Sequence, residues 1–361
     1  MSAAQPPKTA QSNQQGVEPH DVNVTEMVGD LSVALDSAIG EIHSVNAETK
    51  ILALNARIEA ARAGRHGAAF GVVAEEMQNL SDKTLMIAND MANRTRDRTS
   101  NLIAMIDSTI RGTRLSDLAL VNIDLIDRNL YERTCDVRWW ATDGSLVDVL
   151  TSTTKEAAEF ASKRMGVILD AYTVYHDLVL CNRSGEIIAN GRPQDFASVG
   201  QQQSGSEWFA RAMATRSGDE YGFQSAHNSP LVNEHATLIY SCSVRENGES
   251  SGRTLGALGI LFDWHALANP ILENIPVSPS EKEITDAYIV NAEGQILASN
   301  KGNAIGQDLR LPKFGNVLQN KTGFYVTTID NKRVCVGHAR APGFETYTTG
   351  WYSIIVQPLE S

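Results

Sequence analysis

Two apolar seams separated by a short glycine turn constrain this chain more than any other feature. Val24, Val28, Leu31, Leu35, Ala38, Ile42, Val45, Thr49, Leu52 and Ala56 recur with alternating steps of four and three. That is the a/d spacing of helices packed side by side. A second run follows at Phe70, Val73, Met77, Leu80, Thr84, Ile87 and Met91, with Gly64-Arg65-His66-Gly67 in between. Glycine just past a helix end takes the left-handed turn that stops it, and a second glycine lets the chain reverse. The seams predict an antiparallel coiled-coil hairpin with arms of about 40 residues, each about 60 Å long. Asn93-Arg94-Thr95-Arg96-Asp97-Arg98 interrupts the second seam, which resumes at Leu102, Ile103 and Ile106. A continuing but loosened helix is expected there. Further helices are expected over roughly 114–140 and about 146–175.

The second half changes period. Ala236–Val244, Asn247-Gly248 and Leu255–Phe262 read as strand, turn, strand. LVLCNRSGEIIAN (178–190) is echoed by AYIVNAEGQILASN (287–300), each an apolar strand, an Asn-x-x-Gly turn and a second apolar strand. Two α+β modules are expected, at about 165–270 and 284–357. Residues 1–20 are polar and rich in Gln, Ser and Pro, and are expected to be a disordered leader.

Composition narrows the function. Acidic residues outnumber basic ones 43 to 31, a formal charge of −12, which disfavours a general nucleic-acid or anionic-membrane binder. No secretory signal or membrane-spanning run is read, and cytoplasmic localisation is expected. Cys135, Cys181, Cys242 and Cys335 form no CxxC pair, so neither a zinc ribbon nor a disulfide framework is expected. His227 and His235 flank Glu234 without a metal-ligand spacing. No nucleotide-binding or hydrolase motif is found. The chain is read as a non-enzyme without cofactor or metal.

Residues 51–80, ILALNARIEAARAGRHGAAFGVVAEEMQNL, closely resemble the signalling tip of methyl-accepting chemotaxis proteins. The resemblance spans about residues 38–95. Asn55, Glu59 and Arg62 fall on one helical stripe. The resemblance implies that Asn55, Glu59, Arg62, Phe70 and Val72 bind partners: the chemotaxis histidine kinase, its coupling protein, and further receptor hairpins. Homodimers or higher assemblies are expected from the two seams. Arg65, Ala47, Ala69 and Arg57 depart from the family's pattern at this surface. Glu75-Glu76 lacks the following residues of a methylation site.

The last 200 or so residues resemble a double Cache domain, a PAS-like ligand-sensing fold. The fold class read from the whole chain is an all-α antiparallel coiled-coil hairpin (21–112), a helical connector (113–145) and an α+β tandem sensor (146–361). The layout of amine- and amino-acid-binding Cache pockets implies Trp208 and Phe209 as walls, Tyr221 and Tyr240 as ring and hydroxyl donors, and Asp263 as partner of a ligand ammonium. Asp263 also reads as a helix N-cap before His265-Ala266-Leu267. Ser206 stands where amino-acid sensors carry a carboxylate-gripping arginine, and Arg192 or Arg211 are candidates to replace it. The function expected is a chemoreceptor-like transducer that senses a small amine or amino acid and relays it to the kinase. The alternative is a ligand-binding module whose hairpin only oligomerises.

Overall fold

The computed structural model describes residues 24–302 and 304–359. The leader expected over 1–20 lies outside the described residues. The chain divides into two compact units, one through Asp107 and one from Ser108 onward.

The first unit is a helix pair. α1 (Val24–Arg62) ends before Gly64, whose φ is +57°. A 3-10 turn (Gly64–Gly67) reverses the chain, and α2 (Ala68–Trp140) begins. The turn is tight, since a Cβ on Gly67 would lie 2.2 Å from the carbonyl oxygen of Ala60. Partners descend along α2 as they ascend along α1. Asp36 meets Arg96, Asn46 meets Ser81 and Arg57 meets Gln78, so the two helices are antiparallel.

The inner face of the pair differs from the expected seam. Buried positions step by seven on both sides: Ile39, Asn46, Ala53 and Ala60 face Gly67, Ala74, Ser81 and Ala88. Most of these residues are small, which lets the backbones approach closely. The bulkier seam members are displaced outward, and Leu31, Val45 and Leu52 are 59%, 63% and 60% exposed. They form an apolar stripe that the pair itself leaves uncovered. Nor does the helix loosen at Arg94–Arg98. α2 runs through unbroken because those arginines stand outward. Arg94 pairs with Asp90 at 2.9 Å and Arg96 with Asp36 at 3.5 Å.

In the second unit the rest of α2 buries Leu115, Ala119, Ile123, Ile126, Leu130 and Val137. The single helix expected over 146–175 is two helices, α3 (Gly144–Ser152) and α4 (Lys155–Ala171). Thr153 turns left-handed at φ +52°, and the Thr154 hydroxyl caps α4 by accepting from Ala157 N. β-branched threonine tolerates that φ poorly, so the break is not visible as a glycine or proline.

Two five-stranded antiparallel sheets follow. The first contains β1 (Tyr175–Asn182), β2 (Ile187–Asn190), β3 (Gly222–Ser229), β4 (His235–Arg245) and β5 (Thr254–Asp263), in the order β2-β1-β5-β4-β3. α5 (Glu207–Met213) precedes β3, and α6 (Trp264–Glu273) and α7 (Pro279–Glu283) follow β5. The second contains β6 (Asp286–Val290), β7 (Ile296–Ser299), β8 (Thr322–Ile329), β9 (Lys332–Arg340) and β10 (Tyr352–Pro358), with α8 (Phe314–Gln319) before β8. Its order is β7-β6-β10-β9-β8, the same topology.

The internal repeat extends to its hydrogen bonds. Asn182 Oδ1 accepts from the backbone of Ser184 and Glu186, and Asn291 Oδ1 from that of Glu293 and Gln295. Gly185 and Gly294 turn at φ +86° and +87°. Alternation along each strand splits the apolar residues into layers. Leu258, Ile260 and Phe262 of β5 join α2 in the main core, while Ala257 and Leu261 join a separate outer cluster. The second sheet has its own outer cluster, which includes Val336 and Ile354.

α2 also holds the loop between β9 and β10. Buried Asp127 accepts from Gly343 N at 3.0 Å, Thr349 N at 3.1 Å and Thr349 Oγ1 at 2.7 Å. From that loop the Tyr347 hydroxyl meets that of Tyr240 at 2.6 Å, which ties the second module to the first.

Candidate functional site

Two surfaces carry features that folding alone does not require. The first is the hairpin tip. Asn55, Glu59, Arg62, Phe70 and Val72 are all exposed, Phe70 by 74%. Glu59 and Arg62 pair at 2.8 Å on one helical turn. Leu54, Ile58 and Val73 are exposed as well. Because Ala53, Ala60 and Ala74 fill the interior, none of these larger side chains is needed to close the pair. The result is an apolar surface with one oriented ion pair, the composition of a protein-docking patch.

The second surface belongs to the second unit, where the five residues expected to bind ligand fall into three places. Trp208 and Phe209 sit on α5 and pack edge to face at 5.9 Å over the outer side of the first sheet. Gly259 makes room for the indole, since a Cβ there would lie 2.9 Å from the ring. The margin of this layer is polar. Trp208 Nε1 donates to Gln203 Oε1 at 3.3 Å, Trp208 N donates to Gln224 Oε1 at 3.2 Å, and Gln224 Nε2 lies 3.3 Å from His227 Nε2.

Tyr240 lies on the opposite side of the same sheet, inside the main core. Burial pushes its phenol well above the usual range. Tyr221 packs near it at 6.2 Å between ring centroids. Tyr221 also lines a cavity of about 500 Å³ with Arg138, Arg211, Asp219, Glu220 and Thr346. The Arg138 guanidinium stands 5.8 Å from the centre of its ring.

Asp263 stands apart from both pairs. Its Oδ1 caps α6 by accepting from Ala266 N at 3.0 Å and lies 3.6 Å from His176 Nε2. His176 meets His235 edge-on at 5.0 Å. Burial holds the His176 imidazole below its usual pKa, against the opposing charge of Asp263. The structure thus brings Trp208 to Phe209 and Tyr221 to Tyr240, without joining the two pairs or Asp263 into one pocket wall. Of the arginines considered for a ligand carboxylate, Arg211 pairs with Glu207 at 2.7 Å and Arg192 donates to the Leu169 carbonyl at 3.2 Å. Among the described residues no group of three or more His, Cys, Asp or Glu is placed to hold a metal, and no helix is long and apolar enough to cross a membrane.

Sequence reading missed Asp177, Gln224 and Arg138. Asp177 had a signal, being a lone acid inside an apolar strand. It is buried and takes four N–H donors: Leu178 N, Gly191 N, Arg192 N and Asn190 Nδ2. Arg138 sits beside Trp139-Trp140 at a helix end and had none.

A family model described as Cache domain matches residues 71–361. A second, for the methyl-accepting chemotaxis protein signalling domain, matches residues 1–117. Methyl-accepting chemotaxis protein CtpM of Pseudomonas aeruginosa is 43% identical over 77 residues, 21% of this chain and 12% of that protein. Methyl-accepting chemotaxis protein I of Escherichia coli is 37% identical over 78 residues, 21% of this chain and 14% of that protein. The chain therefore spans only about an eighth of the length of these relatives. Among solved structures, the sensor domain of the Vibrio cholerae histidine kinase DctB aligns with TM-score 0.52 at 12% identity, covering 69% of this chain and 96% of that one. The ligand-binding domain of the Campylobacter jejuni chemoreceptor Tlp3, in complex with L-valine, aligns with TM-score 0.51 at 12% identity, covering 68% and 92%. At such identity the likeness is one of fold.

Proposed function

The chain belongs to the Cache domain family, and on that premise we propose that it is a chemoreceptor-like transducer. A small polar molecule of the amine or amino-acid class enters the sensor unit. The tip residues Asn55, Glu59, Arg62, Phe70 and Val72 dock the chemotaxis kinase and its coupling protein. The observation that carries this reading is α2. One unbroken helix begins at the exposed tip and ends as a core element of the sensor sheets. A ligand that shifts the packing around Tyr221, Tyr240 or the Trp208 layer acts on side chains packed in that helix's own core or across one sheet from it. A coupling of about 1–3 kcal/mol is typical of two sites linked in this way.

The hairpin works in the cytoplasm in this account, where such a kinase is found. The double Cache arrangement is supported by the two sheets of equal topology. The uncovered stripe at Leu31, Val45 and Leu52 favours a homodimer that closes a four-helix bundle. It is also the observation that supports the second reading, in which the hairpin only oligomerises.

A thermal-shift screen of the full chain against amines, amino acids, purines and small carboxylates tests the sensing half. A ligand at 100 times its dissociation constant adds about 2.7 kcal/mol, so a hit is readily seen. A panel with no hit in any class would count against sensing. Co-purification of the kinase or coupling protein with the wild type, but not with Glu59→Lys or Arg62→Ala, tests the output half.

A further inference from the structure

A second cavity, of about 320 Å³, lies between the end of α2 and the β4 side of the first sheet. Its size falls at the lower end of small-molecule sites. It is separate from the Trp208 layer, and Arg138 and Arg245 both line it.

Arg245 is only 8% exposed. Its Nε donates to Ser243 Oγ at 3.0 Å, Nη1 to the Gly252 carbonyl at 2.9 Å and Nη2 to the Thr215 carbonyl at 2.7 Å. Those three partners fix the guanidinium and leave two of its five N–H groups for other use. Arg138 makes one short bond, Nε to the Thr134 carbonyl at 2.7 Å. Its terminal nitrogens have longer contacts, 3.3 Å to the Asp219 carbonyl, 3.4 Å to Thr134 Oγ1 and 3.6 Å to Cys135 Sγ. Every one of these partners is neutral. Among the described residues neither arginine has a carboxylate within the 4.0 Å of an ion pair. A nearly buried cation whose hydrogen-bond partners are all neutral is costly, and Arg245 is joined in the lining by the half-buried Arg138, a pairing that favours an anion. Thr142 and Ser243 also line it. Asp219 and Glu249 are exposed lining residues, and the Asp219 carboxylate takes the Ser250 hydroxyl at 2.6 Å.

We propose that this cavity binds a small carboxylate, gripped by the terminal nitrogens of Arg138 and Arg245. A planar guanidinium suits a carboxylate by matched pairs of hydrogen bonds. The acids in the lining favour a ligand that also carries an ammonium. The inference rests on the sensing role proposed above and names the chemistry and the residues of its input.

Isothermal titration of the full chain with L-alanine, succinate and putrescine tests it. Binding of either carboxylate, with none of putrescine, is expected. Arg138→Gln should weaken that binding by about 10- to 100-fold, the worth of a charge-assisted bond, with little change in unfolding temperature. Arg245 is knitted into the loop that ends at Gly252, so its replacement is at risk of misfolding. Protection of Arg138 and Arg245 from phenylglyoxal by the bound carboxylate, read by mass spectrometry, covers both residues in the wild type. Absence of carboxylate binding, or binding undiminished in Arg138→Gln with no protection, overturns the site. Binding of putrescine without either carboxylate would overturn the site and leave the sensing role standing. No binding of any class would count against the sensing role itself.

Discussion

Asp177 shows how much one side chain can hold. Burial pushes its carboxyl up to about 6 against four N–H donors that favour the charged form. Those donors pin the start of the loop after β2 to β1. Asp177→Ala would leave several buried donors unpaired at about 1–3 kcal/mol each, so a loss of about 3 kcal/mol or more is expected in chemical denaturation of the full chain. Two histidines give the pH dependence. Burial lowers the pKa of both His176 and His338, and His338 is only 2% exposed. The unfolded chain protonates histidine near pH 6.5, so below that value the folded state binds fewer protons. The stability they contribute is full above about pH 7 and is lost as pH falls. Asp177 acts with the opposite sign near pH 6, and the difference between wild type and variant is therefore the readout. The unfolding temperature should fall less between pH 7.5 and 5.5 in His338→Phe than in wild type. Equal falls would remove His338 from the account. Asp177 was legible as an acid in an apolar strand, whereas His338 gave no sign, because sequence shows alternation and not which face lacks a polar partner.

At the scale of elements, the helix pair is set by small residues and one polar layer. Ser81 Oγ donates to Asn46 Oδ1 at 2.8 Å, and Asn46 Nδ2 donates to the Ser81 carbonyl at 2.9 Å. A buried polar pair of this kind fixes register at some cost in stability. A double-mutant cycle of Asn46→Ala and Ser81→Ala on the full chain should give a coupling of about 0.5–1.5 kcal/mol. Additive effects would mean that the layer does not set the register. The hairpin, its turn and its apolar positions were legible in the sequence. Which apolar positions face inward was not, because a step of three and four fits two adjacent faces of one helix. Residue size favours one of them: apart from Ile39 the inward positions carry alanine, glycine, asparagine or serine, and Leu31, Val45 and Leu52 are left outside. The break at Thr153 was hidden for a related reason, since it uses a strained threonine where a sequence pattern looks for glycine.

For the whole molecule, the homodimer proposed above would cover the outward stripe of the hairpin. Light scattering should give twice the chain mass of 39.3 kDa, and Val45→Glu with Leu52→Glu should return it to the mass of one chain. A monomeric wild type would contradict the four-helix bundle. A repeated strand-turn-strand unit was legible from the Asn-x-x-Gly echo, and the two sheets share one strand order. Where the residues expected to bind ligand stand in the fold was not legible. Trp208, Tyr240 and Asp263 were grouped from a family layout, and the fold assigns them to an outer layer, an inner core and a helix cap. Those assignments follow from strand parity and from which residue ends β5, which distant spacing in sequence does not fix.

The relay from sensor to tip is the central claim, and kinase control tests it most directly. Autophosphorylation of the chemotaxis kinase would be followed with its coupling protein and the full chain, with and without a compound that raises the chain's unfolding temperature. The account predicts that the chain changes the rate, that the compound changes it again, and that Glu59→Lys abolishes both effects while still binding the compound. A rate indifferent to the wild-type chain, or to the compound once the chain is bound, would contradict it.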